Sequence, residues 1–210
     1  RLPNRSLWML QGEVGGGKSL ISQRLIYGLL ENGVKVLVIT TELTTRGWIE
    51  QMESIGYPVT EHIASGRLLV FSRFGVIAET KEGVDLFDVL ESDAISKADV
   101  VAIDTASSLM PGDLDPVQRN AVLQRLRKMC SESRSLLLTV DPSEMDEKLL
   151  HKLRSSCEVL LDMNAGFVGG ELKRTIVVTR FLRAAGPVQP SVGWRVEPYM
   201  GFIVDITAVS

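Results

Sequence analysis

The amino-acid sequence predicts an α/β fold: a mostly parallel central sheet flanked by helices, with an antiparallel β-hairpin extension at its C-terminal end. Short apolar runs alternate with amphipathic stretches as far as about residue 157, which is typical of parallel strands joined by crossover helices. Beyond that point, apolar runs flank Gly169-Gly170, a pair that favours a hairpin turn. We therefore expect one domain over residues 1–210, of which 158–210 is the antiparallel part.

Composition supports a packed domain and excludes several classes of protein. The chain has 210 residues, 45% of them hydrophobic and 23% charged, so it does not have the composition of a disordered chain. No charge-free run approaches the roughly 20 apolar residues of a membrane-spanning helix. The sequence starts at Arg1 without an apolar signal region, and we expect further residues upstream. Cys130 and Cys157 lie far apart, which favours a reducing compartment and hence the cytoplasm.

Apolar runs with polar residues at their C-terminal ends predict the parallel strands, which are Ser6–Gln11, Lys35–Thr41, Arg67–Arg73, Asp99–Asp104 and Arg134–Asp141. Between them, Lys18–Leu30 is a predicted helix because Ile21, Leu25 and Leu29 share one face. In Val117–Cys130 apolar residues again share a face, and the basic residues between them form a solvated face.

The C-terminal third has the pattern of antiparallel strands. Val159–Met163 and Thr175–Leu182 are the predicted arms of the hairpin, and Trp194–Ile206 is a predicted further strand. The Pro/Gly-rich stretch Ala184–Gly193 is a predicted loop, too short for an interdomain linker.

The segment after the first strand predicts a phosphate-binding loop. It matches G-x-x-x-x-G-K-[ST] between a strand and a helix, the context that distinguishes a P-loop from a glycine-rich turn. Its lysine is expected to reach the β- and γ-phosphates, and its serine hydroxyl to bind Mg²⁺. The expected nucleotide-binding residues are Gly12, Glu13, Val14, Gly15, Gly16, Gly17, Lys18, Ser19 and Leu20.

Two carboxylates are expected beside this loop. Asp104 ends an apolar strand, as a Walker B aspartate does, and is expected to join Ser19 at the metal. Glu42 ends the second strand, and the carboxyl ends of parallel strands meet at one edge of the sheet, so Glu42 is the candidate catalytic carboxylate. The alternative is that Glu42 is a capping or surface residue before the predicted helix Thr44–Ile55.

These features together resemble the RecA superfamily of P-loop NTPases, particularly its KaiC-like branch. More narrowly, several separated segments are similar to the FlaH (ArlH) family, the ATP-binding proteins of the archaeal flagellum (archaellum) motor. The segments are Thr40-Thr41-Glu42-Leu43-Thr44-Thr45, Gln51-Met52, Val140-Asp141-Pro142, Val168-Gly169-Gly170-Glu171-Leu172-Lys173-Arg174, Arg180-Phe181 and Arg195-Val196-Glu197-Pro198.

The resemblance implies a RecA-like fold that binds ATP with Mg²⁺ and a cytoplasmic homo-oligomeric ring, expected to be a hexamer. It also implies docking on the motor ATPase FlaI (ArlI), within reach of the scaffold FlaX or FlaC/D/E, at the cytoplasmic face of the membrane and without insertion into it. KaiC-like proteins usually carry paired glutamates after the second strand, whereas here Leu43 follows Glu42. The resemblance thus implies nucleotide binding and leaves hydrolysis open.

In KaiC-like rings, basic residues after the C-terminal hairpin strand reach the neighbour's nucleotide. Arg180 and Arg183 occupy that region here, and the resemblance makes them candidates for such contacts across a subunit interface. The alternative is that both are surface arginines on an edge strand.

Charge argues against a nucleic-acid partner. The formal net charge is −3, so polyanions are not attracted globally. A DNA-handling relative would place basic loops after the fourth and fifth strands, whereas Leu109–Pro116 contains Asp113 and Asp115, and Asp141–Glu147 contains four carboxylates and no basic residue. His62 and His151 have no zinc-ligand spacing, and no transition-metal site is expected.

Three functional classes remain. An active ATPase or a KaiC-type autokinase would use Asp104, Glu42 and Ser19 for chemistry. A nucleotide-gated assembly module would use the same site to change shape or oligomeric state without fast turnover. A DNA-handling ATPase is disfavoured by the acidic loops. The sequence favours the gated module, with weak or no ATP hydrolysis by itself.

Overall fold

The computed structural model describes residues 2–74, 88, 93–110, 114–132 and 134–205. Within this part of the chain, nine strands form one sheet. They are β1 (Leu7–Gln11), β2 (Val36–Thr40), β3 (Leu68–Ser72), β4 (Val100–Asp104), β5 (Ser135–Val140), β6 (Val159–Val168), β7 (Glu171–Phe181), β8 (Ser191–Glu197) and β9 (Gly201–Val204).

The described helices connect these strands on both faces of the sheet. They are α1 (Lys18–Glu31), α2 (Thr45–Ser54), α3 (Thr60–Ala64), α4 (Pro116–Ser131) and α5 (Glu147–Ser156). Short 3₁₀ turns lie at Asp93–Lys97, Ala106–Leu109 and Pro142–Glu144. Asp115 caps α4 in a capping box, and Thr44 and Asp146 cap α2 and α5 through their side chains.

The spatial order of the strands is β3-β2-β4-β5-β1-β6-β7-β8-β9. Pairing is parallel from β3 to β6 and antiparallel from β6 to β9. This confirms the predicted α/β class with its antiparallel C-terminal extension. The carboxyl ends of β1, β2, β4 and β5 lie at the same edge of the sheet, where open α/β sheets bind their ligands.

Apolar side chains fill both faces of the sheet. On one face α4 and α5 bury Leu126, Leu149 and Leu153. On the other face α1 and α2 bury Ile26 and Trp48, and the antiparallel strands cover this core as well. Burial of a large apolar side chain contributes about 1.5–3 kcal/mol, so these two layers hold the strand ends in fixed positions.

The predicted single strand Trp194–Ile206 is wrong. The chain forms β8 and β9 instead, with a turn between them at Tyr199, whose φ of 60° is left-handed. Pro198 is the physical reason, because proline has no N–H to donate to a sheet ladder. Ile206 lies outside the described residues. The hairpin arms β6 and β7 are also longer than predicted, and their turn at Gly169-Gly170 is confirmed.

Two predicted loops contain regular structure. Asp141–Glu147 includes a 3₁₀ turn and reaches the first residue of α5, a helix that is not among the predicted elements. The end of Ala184–Gly193 belongs to β8, which begins at Ser191. In the other acidic loop, Asp115 is a helix cap, and Asp113 lies outside the described residues.

The two cysteines are free and buried. Burial raises the pKa of both thiols to about 12, so neither is a thiolate near neutral pH. Among the described helices, none has the length and apolar character to cross a bilayer.

Candidate functional site

The loop between β1 and α1 lies directly against strand β6. A Cβ atom at Gly12 would lie 2.5 Å from the carbonyl oxygen of Met163. Gly17, which precedes the first helical residue, has a φ of 90° in the left-handed region. Only glycine meets both requirements without displacing a neighbour, so the loop conformation follows from its glycines.

Lys18 is held inside this loop. Its Nζ donates hydrogen bonds to the carbonyl oxygens of Gly12 at 2.6 Å and Glu13 at 3.0 Å. The same Nζ lies 3.8 Å from an oxygen of Asp141, at the end of β5. Burial opposes ionisation of Asp141, but hydrogen bonds from Ser143 and the nearby Lys18 outweigh it and lower its pKa. The ammonium group is thus positioned by three oxygen atoms.

Ser19 contacts the predicted Walker B aspartate. Its hydroxyl donates a 3.0 Å hydrogen bond to Oδ1 of Asp104, and Thr139 on β5 donates a second bond of 2.5 Å to the same oxygen. Asp104 is 3% exposed. Burial raises the pKa of Asp104, because the two hydroxyl donors only partly compensate for lost hydration.

Glu42 lies next to Asp104 because the ends of β2 and β4 are bonded together. Thr105 donates its backbone N–H to Oγ1 of Thr41 at 2.9 Å, and that hydroxyl donates to the Thr105 carbonyl at 3.0 Å. The Thr105 hydroxyl then donates a 2.7 Å hydrogen bond to Oε1 of Glu42. The exposed Glu42 carboxylate is therefore oriented at the mouth of the site.

These groups surround a cavity of about 240 Å³ at the carboxyl edge of the sheet. Its lining includes most of the predicted nucleotide-binding residues together with Glu42, whereas Gly12 and Gly16 face a neighbouring cleft. Asp104 is buried beneath the cavity and is reached through Ser19. Among the described residues, the lining consists of Glu13, Val14, Gly15, Gly17, Lys18, Ser19, Leu20, Glu42, Thr105, Asp141, Glu144 and Arg174.

Four lining residues were not predicted at this site: Thr105, Asp141, Glu144 and Arg174. Asp141 follows a buried strand, so the strand-end argument that located Glu42 could have located it too. No local sequence pattern points to Arg174, because its position depends on the length of the β6–β7 hairpin. Its Nε donates a 3.3 Å hydrogen bond to the carbonyl oxygen of Gly15, and its guanidinium lies 5.8 Å from the ring centre of Trp194.

Arg180 and Arg183 lie away from this cavity within their own chain. Arg180 pairs in register with Leu160 of β6, which in turn pairs with Met9 near the middle of β1. Its Nη1 donates a 3.2 Å hydrogen bond to the Ser155 carbonyl. Arg183 is exposed. Neither side chain is among the residues that line the cavity.

The chemistry of the cavity suits a magnesium–polyphosphate complex. Backbone N–H groups and Lys18 supply positive charge for phosphate, and the oxygens of Ser19 and Asp104 are hard ligands of the kind Mg²⁺ prefers. Within the described residues no three His, Cys, Asp or Glu side chains are placed to form a metal cage. Mg²⁺ usually keeps several waters and binds through one or two protein oxygens plus substrate phosphates.

Comparisons with known proteins find ATP-binding relatives over the full length of the chain. The family model of the KaiC ATPases matches residues 1–186 of this chain. The archaeal flagellar ATP-binding protein FlaH of Methanocaldococcus jannaschii is 32% identical over 210 residues, covering 100% of this chain and 90% of that protein. FlaH of Methanococcus voltae is 28% identical, covering 100% and 91%. The crystal structure of the flagellar accessory protein FlaH from M. jannaschii superposes with a TM-score of 0.89, covering 98% of this chain and 91% of that chain.

Proposed function

Because the chain belongs to the KaiC ATPase family and, within it, to the FlaH proteins, we propose that it binds ATP with Mg²⁺ in the cavity described above. Lys18 would contact the β- and γ-phosphates, and the loop N–H groups from Glu13 to Leu20 would surround the phosphate chain. Ser19 and Asp104 would hold Mg²⁺, whose role is to neutralise phosphate charge.

The contact between Ser19 and Asp104 is the observation that carries this proposal. These residues are 85 positions apart in sequence, yet the hydroxyl and the carboxylate lie 3.0 Å apart directly below the loop that holds Lys18. A glycine-rich turn without a nucleotide would not require a buried carboxylate at this point, because burial of an ionised group is costly. Binding of a metal ion accounts for its presence.

We further propose that the bound nucleotide controls assembly and that turnover by a single chain is slow. Glu42 is the single carboxylate that ends β2, and the Thr105 hydroxyl orients it towards the cavity. It would position a water molecule, but fast hydrolysis usually also needs a cationic group at the γ-phosphate, supplied by the same chain or by a neighbour. Arg180 and Arg183 are the candidates for that group, and they lie outside the cavity of their own chain.

The relatives are named as archaeal flagellar proteins, and we propose the same setting for this chain. In it the chain would form a cytoplasmic ring, a hexamer, that docks on the motor ATPase FlaI near the scaffold FlaX or FlaC/D/E. Such a ring would let Arg180 and Arg183 of one copy approach the cavity of the next copy, which holds Glu42.

The test of binding is Lys18→Ala. We expect MgATP affinity to fall about tenfold or more, because the substitution removes the cation that reaches the β- and γ-phosphates. Isothermal titration calorimetry gives the affinity, and a thermal melt of each protein checks that the fold is intact. An affinity of the variant close to that of the wild type would contradict the assignment of the site.

An active KaiC-like ATPase or autokinase is the second candidate, favoured by the 2.7 Å bond that orients Glu42. The two candidates differ in turnover rate, since enzymes typically reach about 1–10³ s⁻¹. A DNA-handling role stays disfavoured, because the carboxylates at Asp141 and Glu144 line the site and no basic residue lies between Asp141 and Glu147.

A further inference from the structure

The indole ring of Trp194 forms the support beneath the phosphate-binding loop. Trp194 is 1% exposed and lies on β8, about 180 residues after the loop in sequence. A Cβ atom at Gly17 would lie 2.6 Å from Cζ2 of the ring and still nearer to Cη2. The ring edge is therefore in direct contact with the backbone that begins α1.

This contact bears on the residues that bind phosphate. Gly17 adopts the left-handed conformation at the N-cap of α1, and Lys18 and Ser19 follow it immediately. A small displacement at Gly17 would thus redirect the N–H groups of the first helical turn and both side chains. Sites held about 1 Å too loosely lose much of their function, so the support beneath Gly17 matters for binding.

The antiparallel extension holds the ring in place. Phe202 of β9 stacks on Trp194 with ring centres 5.8 Å apart, and Arg174 of β7 lies 5.8 Å above the ring. The backbone N–H of Phe202 donates a 2.7 Å hydrogen bond to the hydroxyl of Tyr57, which follows α2. We use the name brace for Trp194, Phe202 and Tyr57.

We infer that Trp194 is a positioning residue for the P-loop, so that occupation of the nucleotide site and the position of the brace are coupled. This inference rests on the proposed function, because it assigns the support of that same site. Trp194 acts through Gly17 and Lys18, without a contact of its own to the reacting atoms. The six-membered ring of the indole provides this support, since its atoms Cζ2 and Cη2 are the ones that contact Gly17.

The test compares Trp194→Phe with the matched control Trp48→Phe. Trp48 is also fully buried, and among the described residues neither indole N–H has a hydrogen-bond acceptor, so both substitutions remove a ring without breaking a hydrogen bond. We expect both variants to melt at lower temperature. MgADP affinity, measured by calorimetry, should fall about fivefold or more for Trp194→Phe and stay within about twofold of the wild type for Trp48→Phe.

Fluorine NMR of the wild-type chain labelled with 5-fluorotryptophan provides a readout that does not depend on folding of Trp194→Phe. Trp8→Phe and Trp48→Phe assign the Trp194 signal by elimination. Addition of MgADP should shift that signal more than the other two. The inference would be overturned by equal shifts of all three tryptophan signals, or by equal losses of affinity in Trp194→Phe and Trp48→Phe. In either case, binding of nucleotide to the wild type would leave the proposed function intact. Absence of MgADP and MgATP binding to the wild type would overturn the proposed function itself.

Discussion

At the scale of single residues, Asp104 shows how the proposed binding site reduces stability. Asp104 is 3% exposed and its carboxylate accepts two hydroxyl hydrogen bonds, but no cation is within ion-pair distance among the described residues. Burial therefore raises its pKa. A carboxyl group whose pKa is higher in the folded than in the unfolded protein favours folding in its protonated form. This contribution to stability is complete below the unfolded-state pKa of about 3.9 and is lost as pH rises through the folded-state pKa.

Asp104→Asn should separate stability from binding. We expect a gain on the order of 1 kcal/mol in the free energy of unfolding near pH 7, seen as about 2–4 °C in Tm, because the neutral amide is cheaper to bury. The gain should shrink as pH is lowered, since Asp104 itself becomes protonated. The Mg²⁺-dependent part of ATP affinity should be lost. Thermal melts across pH and calorimetry with and without Mg²⁺ check both effects, and a less stable variant at pH 7 would contradict this account.

Arg174→Gln should weaken ATP and ADP binding by similar factors, about three- to tenfold. Arg174 contacts Gly15, in the part of the loop whose N–H groups would surround the α- and β-phosphates that both nucleotides share. Calorimetry measures the two affinities. Lys173→Gln is the matched control, because Lys173 forms ion pairs with Glu171 and Asp205 and does not line the cavity. Equal losses in the two variants would point to a general effect of charge.

At the scale of elements, the β8–β9 hairpin is fastened to the end of α2. Phe202 N–H donates to the Tyr57 hydroxyl at 2.7 Å, and the backbone N–H of Tyr199 donates to the Ser54 carbonyl at 3.3 Å. A Cβ atom at Gly201 would lie 2.6 Å from the Tyr57 hydroxyl oxygen, so glycine is required for this approach. The extension therefore packs on the helical layer that carries the phosphate-binding loop.

Tyr57→Phe should loosen this attachment. Loss of one hydrogen bond costs about 0.5–1.5 kcal/mol, and hydrogen exchange at the Phe202 amide should become faster because its acceptor is gone. Tyr27→Phe is the control: its ring stacks on Tyr57, and its hydroxyl makes no hydrogen bond to another described residue. A Phe202 amide equally protected in both variants would show that the hydroxyl does not hold the hairpin.

The parallel half of the fold could be predicted because each buried strand is a short apolar run with a polar end. The antiparallel half was harder: Trp194–Ile206 is apolar enough for one strand, and only Pro198 signals the turn that divides it. Helix α5 is hard to predict although Leu149, Leu150 and Leu153 have helical spacing, because the acidic residues before it are typical of a loop.

The residues of the proposed site also fall into two groups: those that the sequence predicts and those that it does not. Lys18, Ser19, Asp104 and Glu42 follow from a motif and from strand ends, which local sequence encodes. Arg174 and Trp194 reach the loop only because strands β7 and β8 fold back over α1, and this depends on hairpin lengths and registers that no short motif contains.

At the scale of the whole molecule, the residues proposed for catalysis in one chain form an incomplete set. Glu42 is oriented at the cavity, while Arg180 and Arg183 lie elsewhere. A neighbour's cation is worth roughly 10³–10⁵ in rate where such groups have been assessed. A ligand that contacts two copies also favours the assembled state. ATP should therefore promote assembly, and a single copy should hydrolyse it slowly.

The most direct test of this claim is gel filtration with light scattering, with and without MgATP, and a phosphate-release assay on the same sample. We predict a larger mass with MgATP for the wild type and an unchanged mass for Lys18→Ala, with turnover by monomers far below about 1 s⁻¹. A wild-type chain that stays monomeric with MgATP bound, or a verified monomer that hydrolyses several ATP per second at a rate unchanged by Glu42→Gln, would contradict the account.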